Sequence, residues 1–353
     1  MEDYLQQSEI ILKRFLEKGY DEQQLRVERA RAEDRFGFTI QAMQNITSPG
    51  VKEFFLVGFA SLQKFHNVIF YVVLLAYIIC ILGNICVIIL VRTHATLHTP
   101  MYFFITTFAV LEILFVSVTI PKILSVLIKA DNSISVIGCF TQTYMLHALG
   151  ETECFLLALM VFDRYLAINR PLHYSTVMSN TFCYKLTVLP WLAGFIISFI
   201  QSICTICLDY CGPNEIDQLF CDMAPLQNLA CSDPRISNFA TMSAAITTVL
   251  CPFIIIAVLY IKIIKIILQI KSDAGKKKAF STCSSHLIVA CMFYCTVIIV
   301  YIRPKGSHYD KFLALMYTVV TPMLNPYIYT LRNTEVKNAF KRIIKSLQKK
   351  AYK

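Results

Sequence analysis

Cys154-Phe155-Leu156-Leu157-Ala158-Leu159-Met160-Val161-Phe162-Asp163-Arg164-Tyr165-Leu166-Ala167-Ile168 is an apolar run interrupted near its end by one acid and one base. Extended back to Cys139, it exceeds the roughly 20 mainly apolar residues that a helix needs to cross a hydrocarbon core. The charges at its end belong at a membrane face, because an ionisable side chain deep in lipid is costly and demands a partner or a role. Six further runs, bounded by charge, Pro or Gly, flank this one: Phe65 to Val91, Met101 to Ile128, Thr181 to Cys207, Asn238 to Ile270, Phe280 to Ile302 and Lys311 to Leu331. The whole chain is 16% charged and 56% hydrophobic, against about 25% charged in soluble domains. The expected fold is an all-α membrane protein, a seven-transmembrane helix bundle.

Cationic loops stay in the cytoplasm. Arg92, Arg164 with Arg170, Lys271 with Lys276 to Lys278, and the tail lysines fall on one side of the seven runs. Asp131, Asp209, Glu215, Asp217, Asp222 and Asp233 fall on the other. This places the N-terminus outside and the C-terminus in the cytoplasm of a multi-pass plasma-membrane protein. Positive-inside sorting also accounts for the net charge of +10, so no nucleic-acid partner is expected. In the segment 332–353, Val336, Phe340, Ile343, Ile344 and Leu347 alternate with lysines, the pattern of a short amphipathic helix lying on anionic membrane lipid.

Four segments are expected. Residues 1–42 are charged, net negative and without an apolar run; they resemble a fragment of a retroelement reading frame and read as an atypical extension from a gene-model fusion. Residues 43–64 form an extracellular stretch opening on Met43, with the glycosylation sequon Asn45-Ile46-Thr47. Residues 65–331 are the receptor-like bundle, and 332–353 the amphipathic helix and basic tail.

Most of the 14 cysteines lie inside spans, where a free Cys behaves as a small hydrophobe. Cys139, Cys211, Cys221 and Cys231 lie on the oxidising outer side, where disulfides persist. The pairing Cys139-Cys221 with Cys211-Cys231 is one of three connectivities, and the spacing does not choose among them.

No phosphate-cradling Gly loop, His-Glu-x-x-His pair or Gly-x-Ser-x-Gly elbow occurs, so the expectation is a protein that is not an enzyme. The unusual chemistry lies within the spans. Glu112, Glu151 and Glu153 are mid-span carboxyls, Asp163-Arg164 closes the third run, and Asn84 and Asn325 stand at comparable depth in the first and seventh.

Longer strings then identify a family. Gly83-Asn84, Leu97-His98-Thr99-Pro100-Met101-Tyr102-Phe103-Phe104, Pro121-Lys122-Ile123-Leu124, Asp163-Arg164-Tyr165-Leu166-Ala167-Ile168 with Pro171-Leu172-His173-Tyr174, Lys278-Ala279-Phe280-Ser281-Thr282-Cys283-Ser284-Ser285-His286-Leu287, and Pro322-Met323-Leu324-Asn325-Pro326-Tyr327-Ile328-Tyr329 together resemble the odorant (olfactory) receptors among the rhodopsin-like G-protein-coupled receptors. Departures are Val161-Phe162 before the triplet, Asn169 after Ile168 and Cys295 after Tyr294. A rhodopsin-like receptor for a non-odorant small ligand shares Asp163-Arg164-Tyr165 but not the Pro100-to-Phe104 and Lys278-to-Leu287 strings. No inverted repeat of the transporter kind is apparent.

The resemblance implies an odorant ligand and a heterotrimeric G protein of the stimulatory olfactory type. It implies that Arg164 holds a resting state through Asp163, with Tyr165, Tyr260, His286, Asn325, Pro326 and Tyr329 as parts of the switch. It implies a mid-membrane site for a sodium-like ion or a proton at Asn84, Glu112, Glu153 and Asn325, and no other cofactor. The odorant is expected among Leu146, His147, Gly150, Glu151, Thr241, Ala244, Thr248, Tyr294, Val297, Ile298, Tyr301, Leu315 and Thr318. His147 and Glu151 stand four residues apart on one helical face. Either Glu151 favours basic or hydrogen-bond-donating odorants, or His147 neutralises it as a structural pair.

Overall fold

The computed structural model describes residues 51–59, 64–128, 131–211, 214–302, 310–332 and 336–337. Residues 1–42, the sequon at Asn45 and all of the tail except Val336 and Lys337 lie outside them, as do the side chains of His286, Ile298, Tyr301 and Tyr329.

Seven helices form the bundle of a multi-pass membrane protein: α1 (His66–Thr93), α2 (Pro100–Leu127), α3 (Val136–Asn169), α4 (Asn180–Ile206), α5 (Arg235–Gln269), α6 (Asp273–Ile302) and α7 (310–332). The first five satisfy the length and apolarity needed to cross a membrane among the described residues. Helices suit this environment because every backbone N–H and C=O must be satisfied within the segment. The bounds follow from local chemistry. Pro100 opens α2 at a position whose N–H needs no partner. Ser135 Oγ accepts from Gly138 N at 3.1 Å to start α3, and Ser179 Oγ accepts from Phe182 N at 3.4 Å to start α4. The sixth helix starts at Asp273, earlier than the apolar run at Phe280. No proline lies between them, and the helix continues through the lysine-bearing turns beyond the apolar run.

Helix α3 is the axis of the bundle. In its most apolar stretch 67% of residues are buried, against 28% in both α1 and α5. The outer helices turn Tyr71, Leu75 and Leu82 of α1, and Ile254 and Ile261 of α5, toward lipid. Association in lipid rests on close packing rather than on water exclusion, and small residues permit it. A Cβ on Gly194 of α4 would lie 2.4 Å from Thr152 Oγ1 and 2.7 Å from Ala148 O of α3. A Cβ on Gly83 of α1 would lie 3.1 Å from Pro326 Cγ of α7.

Two helices change pitch where proline removes an N–H. In α5 a π turn (Ile246–Leu250) immediately precedes Pro252, and in α7 a π turn (Met316–Val320) precedes Pro322 and Pro326. Such bulges absorb the interrupted hydrogen-bond ladder and bend the helix there.

The sequence reading contained no strands, yet a small outer sheet forms in the order β2-β1-β3: β1 (Glu53–Leu56), β2 (Ser133–Ser135) and β3 (Glu215–Ile216). Strand β1 pairs antiparallel with β2, with Phe54 opposite Ile134, and parallel with β3, with Phe55 opposite Glu215. Its alternation is that of a half-buried strand: Phe54 and Leu56 point in, Glu53 and Phe55 point out. Phe54 stands edge-on to Phe140 and Tyr210 at 6.4 and 5.8 Å.

Candidate functional site

The sequence-predicted residues fall at three depths along α3. At the C-terminal end of α3, Asp163 is buried and Arg164 folds back on it, its Nε donating to Asp163 Oδ2 at 2.9 Å. Tyr174, in the loop helix Tyr174–Val177, donates its hydroxyl to Asp163 Oδ1 at 2.6 Å, and Arg164 reaches the same hydroxyl at 3.5 Å. Both carboxylate oxygens are thus held in a closed lock. Burial, and then the charge of Asp163, pushes the Tyr174 phenol above its ordinary range, so it remains a donor at physiological pH. Tyr260 is buried on α5 but donates to Cys283 O of α6 at 3.4 Å. Lys262 lies 5.9 Å over the Tyr165 ring. Tyr174 was visible only as the end of the Pro171-to-Tyr174 string; its role needed the loop geometry.

At mid-membrane, Glu112 of α2, Glu153 of α3 and Asn325 of α7 are all at most 2% exposed. Asn325 Nδ2 donates to Glu112 Oε1, and the two carboxyls lie within electrostatic range of each other. Glu112 Oε2, Glu153 Oε1 and Asn325 Oδ1 have no hydrogen-bond partner among the described residues. Asn84 does not join this group. Its Nδ2 donates to Cys80 O at 3.0 Å, and Cys80 Sγ in turn reaches Pro322 O at 3.5 Å. That carbonyl would have accepted from residue 326, but Pro326 has no N–H. Gly83 and Asn84 therefore seat α1 against the proline break of α7. Among the described residues, no group of three or more His, Cys, Asp or Glu is arranged to hold a metal ion.

In the outer half, Leu146, Gly150, Glu151, Ala244, Thr248, Tyr294, Val297 and Thr318 are buried, while His147, Thr241 and Leu315 are partly so. Several are engaged with protein. Tyr294 donates to Cys154 O at 3.0 Å, Thr318 to Ala314 O at 2.7 Å, and Thr241 accepts from Gln227 Nε2 at 2.8 Å. Gly150 faces Tyr317 of α7: a Cβ there would stand 2.6 Å from the hydroxyl. Tyr317 also packs on Phe115 at 5.4 Å and Phe293 at 6.2 Å.

His147 and Glu151, which the sequence offered either as a structural pair or as a ligand-directed acid, are not hydrogen-bonded to each other. His147 Nε2 bonds Asp222 Oδ1 at 2.9 Å, and that same oxygen caps the helix Met223–Leu229 by accepting from Met223 N at 2.7 Å. Glu151 accepts instead from Gln201 Nε2 of α4. The reason is reach: the loop carboxylate lies directly over the imidazole, and Gln201 faces α3. Gln201 was legible in principle, being an amide in the middle of the fourth run, and intramembrane polar residues seek partners.

Two disulfides fix the outer face. Cys139 joins Cys221 with Cα atoms 5.4 Å apart, and Cys211 joins Cys231 at 6.0 Å. Gln142 completes the first anchor, accepting from Cys221 N at 2.9 Å and donating to Val118 O of α2 at 2.9 Å. Lys311 of α7 ties down the outer sheet, donating to Gly58 O at 2.6 Å and to Asp217 at 2.5 Å.

Comparison with known proteins places this arrangement in context. The family model for olfactory receptors matches residues 73–349. Human olfactory receptor 6N1 is 41% identical over 300 residues, which cover 84% of this chain and 96% of the relative. Human olfactory receptor 10C1 is 43% identical over 297 residues (83% and 95%), and mouse olfactory receptor 6E1 is 42% identical over 311 residues (87% and 99%).

Proposed function

The chain belongs to the olfactory receptor family, and from that premise we propose that it binds small volatile, largely apolar molecules in the outer half of the bundle. Binding shifts the helices toward a state that activates a heterotrimeric G protein of the stimulatory olfactory type and raises cyclic AMP. The observation that carries this reading is the closed lock of Asp163, Arg164 and Tyr174 at one end of α3. The same rigid helix presents Leu146, His147, Gly150 and Glu151 at its other end. A ligand changes the lock only by favouring the open arrangement over the closed one. The π turns before Pro252 and Pro322 supply the bends through which α5 and α7 respond.

The side that carries the lock is the cytoplasmic side, with the N-terminus outside. Leu172, 90% exposed beside the lock, offers an apolar contact to the G protein. The oxygens of Glu112, Glu153 and Asn325 that lack partners are hard donors suited to a monovalent cation, or to a proton shared between the carboxyls. That ion or proton would neutralise a charge otherwise buried in a low-dielectric core. His286 and Tyr329 complete the proposed switch, and Ile298 and Tyr301 the proposed pocket.

The test is an odorant panel applied to cells that express the full chain with the olfactory stimulatory G protein, with surface labelling and cyclic AMP as readouts. A concentration-dependent rise absent from mock cells supports the proposal. A surface-expressed receptor silent to the whole panel contradicts it.

A further inference from the structure

Glu151 is an incompletely satisfied acid in an otherwise neutral wall. It is 6% exposed. Its Oε1 accepts from Gln201, and its Oε2 has no hydrogen-bond partner among the described residues. An ionised carboxylate offers about four acceptor positions, and burying one beside a single neutral amide leaves its charge unmatched. The nearest source of positive charge, His147 one turn away, makes its hydrogen bond to Asp222. An imidazolium there is hydrogen-bonded to the Asp222 carboxylate and acts on Glu151 only through space.

Among the described residues, no Lys or Arg of a neighbouring element bonds to Glu151. On α4 the buried polar groups are Thr187, Ser198, Gln201, Ser202 and Thr205, none of them cationic. Thr205 shares a hydrogen bond with Ser237 of α5 at 2.7 Å and donates to Met223 Sδ at 2.9 Å. Gln227 of the loop helix donates to Ser237 and Thr241, each at 2.8 Å. Thr205, Ser237, Gln227 and Thr241 bond to one another, and neither they nor Ser202, whose own Oγ lacks a partner among the described residues, bond to Glu151 Oε2.

We propose that Glu151 determines ligand class: its free oxygen receives an N–H from a small odorant with a protonated amine and an apolar body, so the receptor is tuned to volatile amines. An ammonium supplies both the missing donor and the missing charge. An alcohol of the same shape supplies only the donor, and an alkane neither. This inference rests on the odorant-receptor reading and names the substrate class for its pocket.

The experiment compares heptylamine, heptan-1-ol and heptane, and cyclohexylamine with cyclohexanol, on the wild-type chain, Glu151→Gln and Glu151→Asp. Cyclic AMP is read in surface-labelled cells, and the melting-temperature shift is read on purified full-length receptor without G protein. In the wild type, each amine is expected to act at lower concentration than its alcohol. Glu151→Gln raises the effective amine concentration by about thirtyfold or more, the lower end for removing one partner of a buried charge pair, and shifts the alcohols, which lose no charge pairing, by a much smaller factor. Glu151→Asp, which keeps the charge, retains the amine preference.

Equal loss for amines and alcohols in Glu151→Gln overturns the proposal. So do amines no better than alcohols in the wild type, or a folded wild-type receptor that no amine stabilises. The wild-type comparison needs no variant, so a misfolding substitution leaves it decisive. A melting shift with amines but no cyclic AMP points to failure of the coupling reading alone; cyclic AMP evoked only by alcohols sinks this inference alone.

Discussion

Replacing Tyr174 by Phe removes one hydroxyl from the lock around Asp163 and leaves the ring in place. The bond lost runs from the Tyr174 hydroxyl to Asp163 Oδ1 at 2.6 Å, and Asp163 is 1% exposed, so water does not replace it freely. Hydrogen bonds to charged groups contribute about 1.5–3 kcal/mol. If the bond exists only in the closed arrangement, its loss shifts the closed-to-open equilibrium by roughly 13- to 150-fold. A receptor resting about 1% open then rests at roughly 10–60% open. The assay is cyclic AMP in the absence of odorant, normalised to surface-labelled receptor. Raised basal signalling with preserved surface level is the expected outcome. Unchanged or lower basal signalling at wild-type surface level would refute the view that Tyr174 holds the resting state.

Gly150→Ala drives a methyl into the space of the Tyr317 hydroxyl, 2.6 Å from the new Cβ; odorant potency falls, and Tyr317→Phe in the same chain restores part of it in dose-response curves. Gly194→Ala meets Thr152 and the Ala148 carbonyl of α3, costing about 1–3 kcal/mol of packing, and appears as a lower melting temperature and reduced surface expression. Gln142→Leu strands the Cys221 N–H and removes the tie to Val118 O of α2, a loss of about 1–3 kcal/mol for the group left unsatisfied, read as a lower melting temperature with both disulfides intact. Glu112→Gln changes basal signalling and its dependence on sodium concentration. Unchanged signalling with no cation dependence in both Glu112→Gln and Glu153→Gln contradicts the ion or proton site.

The bundle was legible because lipid imposes a simple rule: each crossing needs a long apolar helix, and charge is tolerated only where it has a partner. Six of the seven helices start and stop within about three residues of the apolar runs; α6 overran its run because helicity does not end where apolarity does. The outer sheet was not legible, since Glu53-Phe54-Phe55-Leu56 is too short for its period to be distinctive and its partners lie 80 and 160 residues away. Individual acids were easy to find and their partners were not. Glu112 with Asn325 followed from depth alone, whereas His147 with Asp222 and Glu151 with Gln201 depend on how a loop and a neighbouring helix are turned. Helical spacing places His147 and Glu151 on one face, but being neighbours on a helix did not make them partners.

The central claim is that occupancy among the outer ends of the helices opens the lock around Arg164. Reconstituting the purified full chain in nanodiscs with the stimulatory olfactory G protein, and measuring odorant-stimulated guanine-nucleotide exchange, tests this without other cellular components. The account predicts that an odorant which raises the melting temperature of the receptor also accelerates exchange, and that Arg164→Ala abolishes the acceleration while retaining the melting shift. Exchange that stays at the odorant-free rate while the ligand is bound, or acceleration that survives Arg164→Ala, would contradict it.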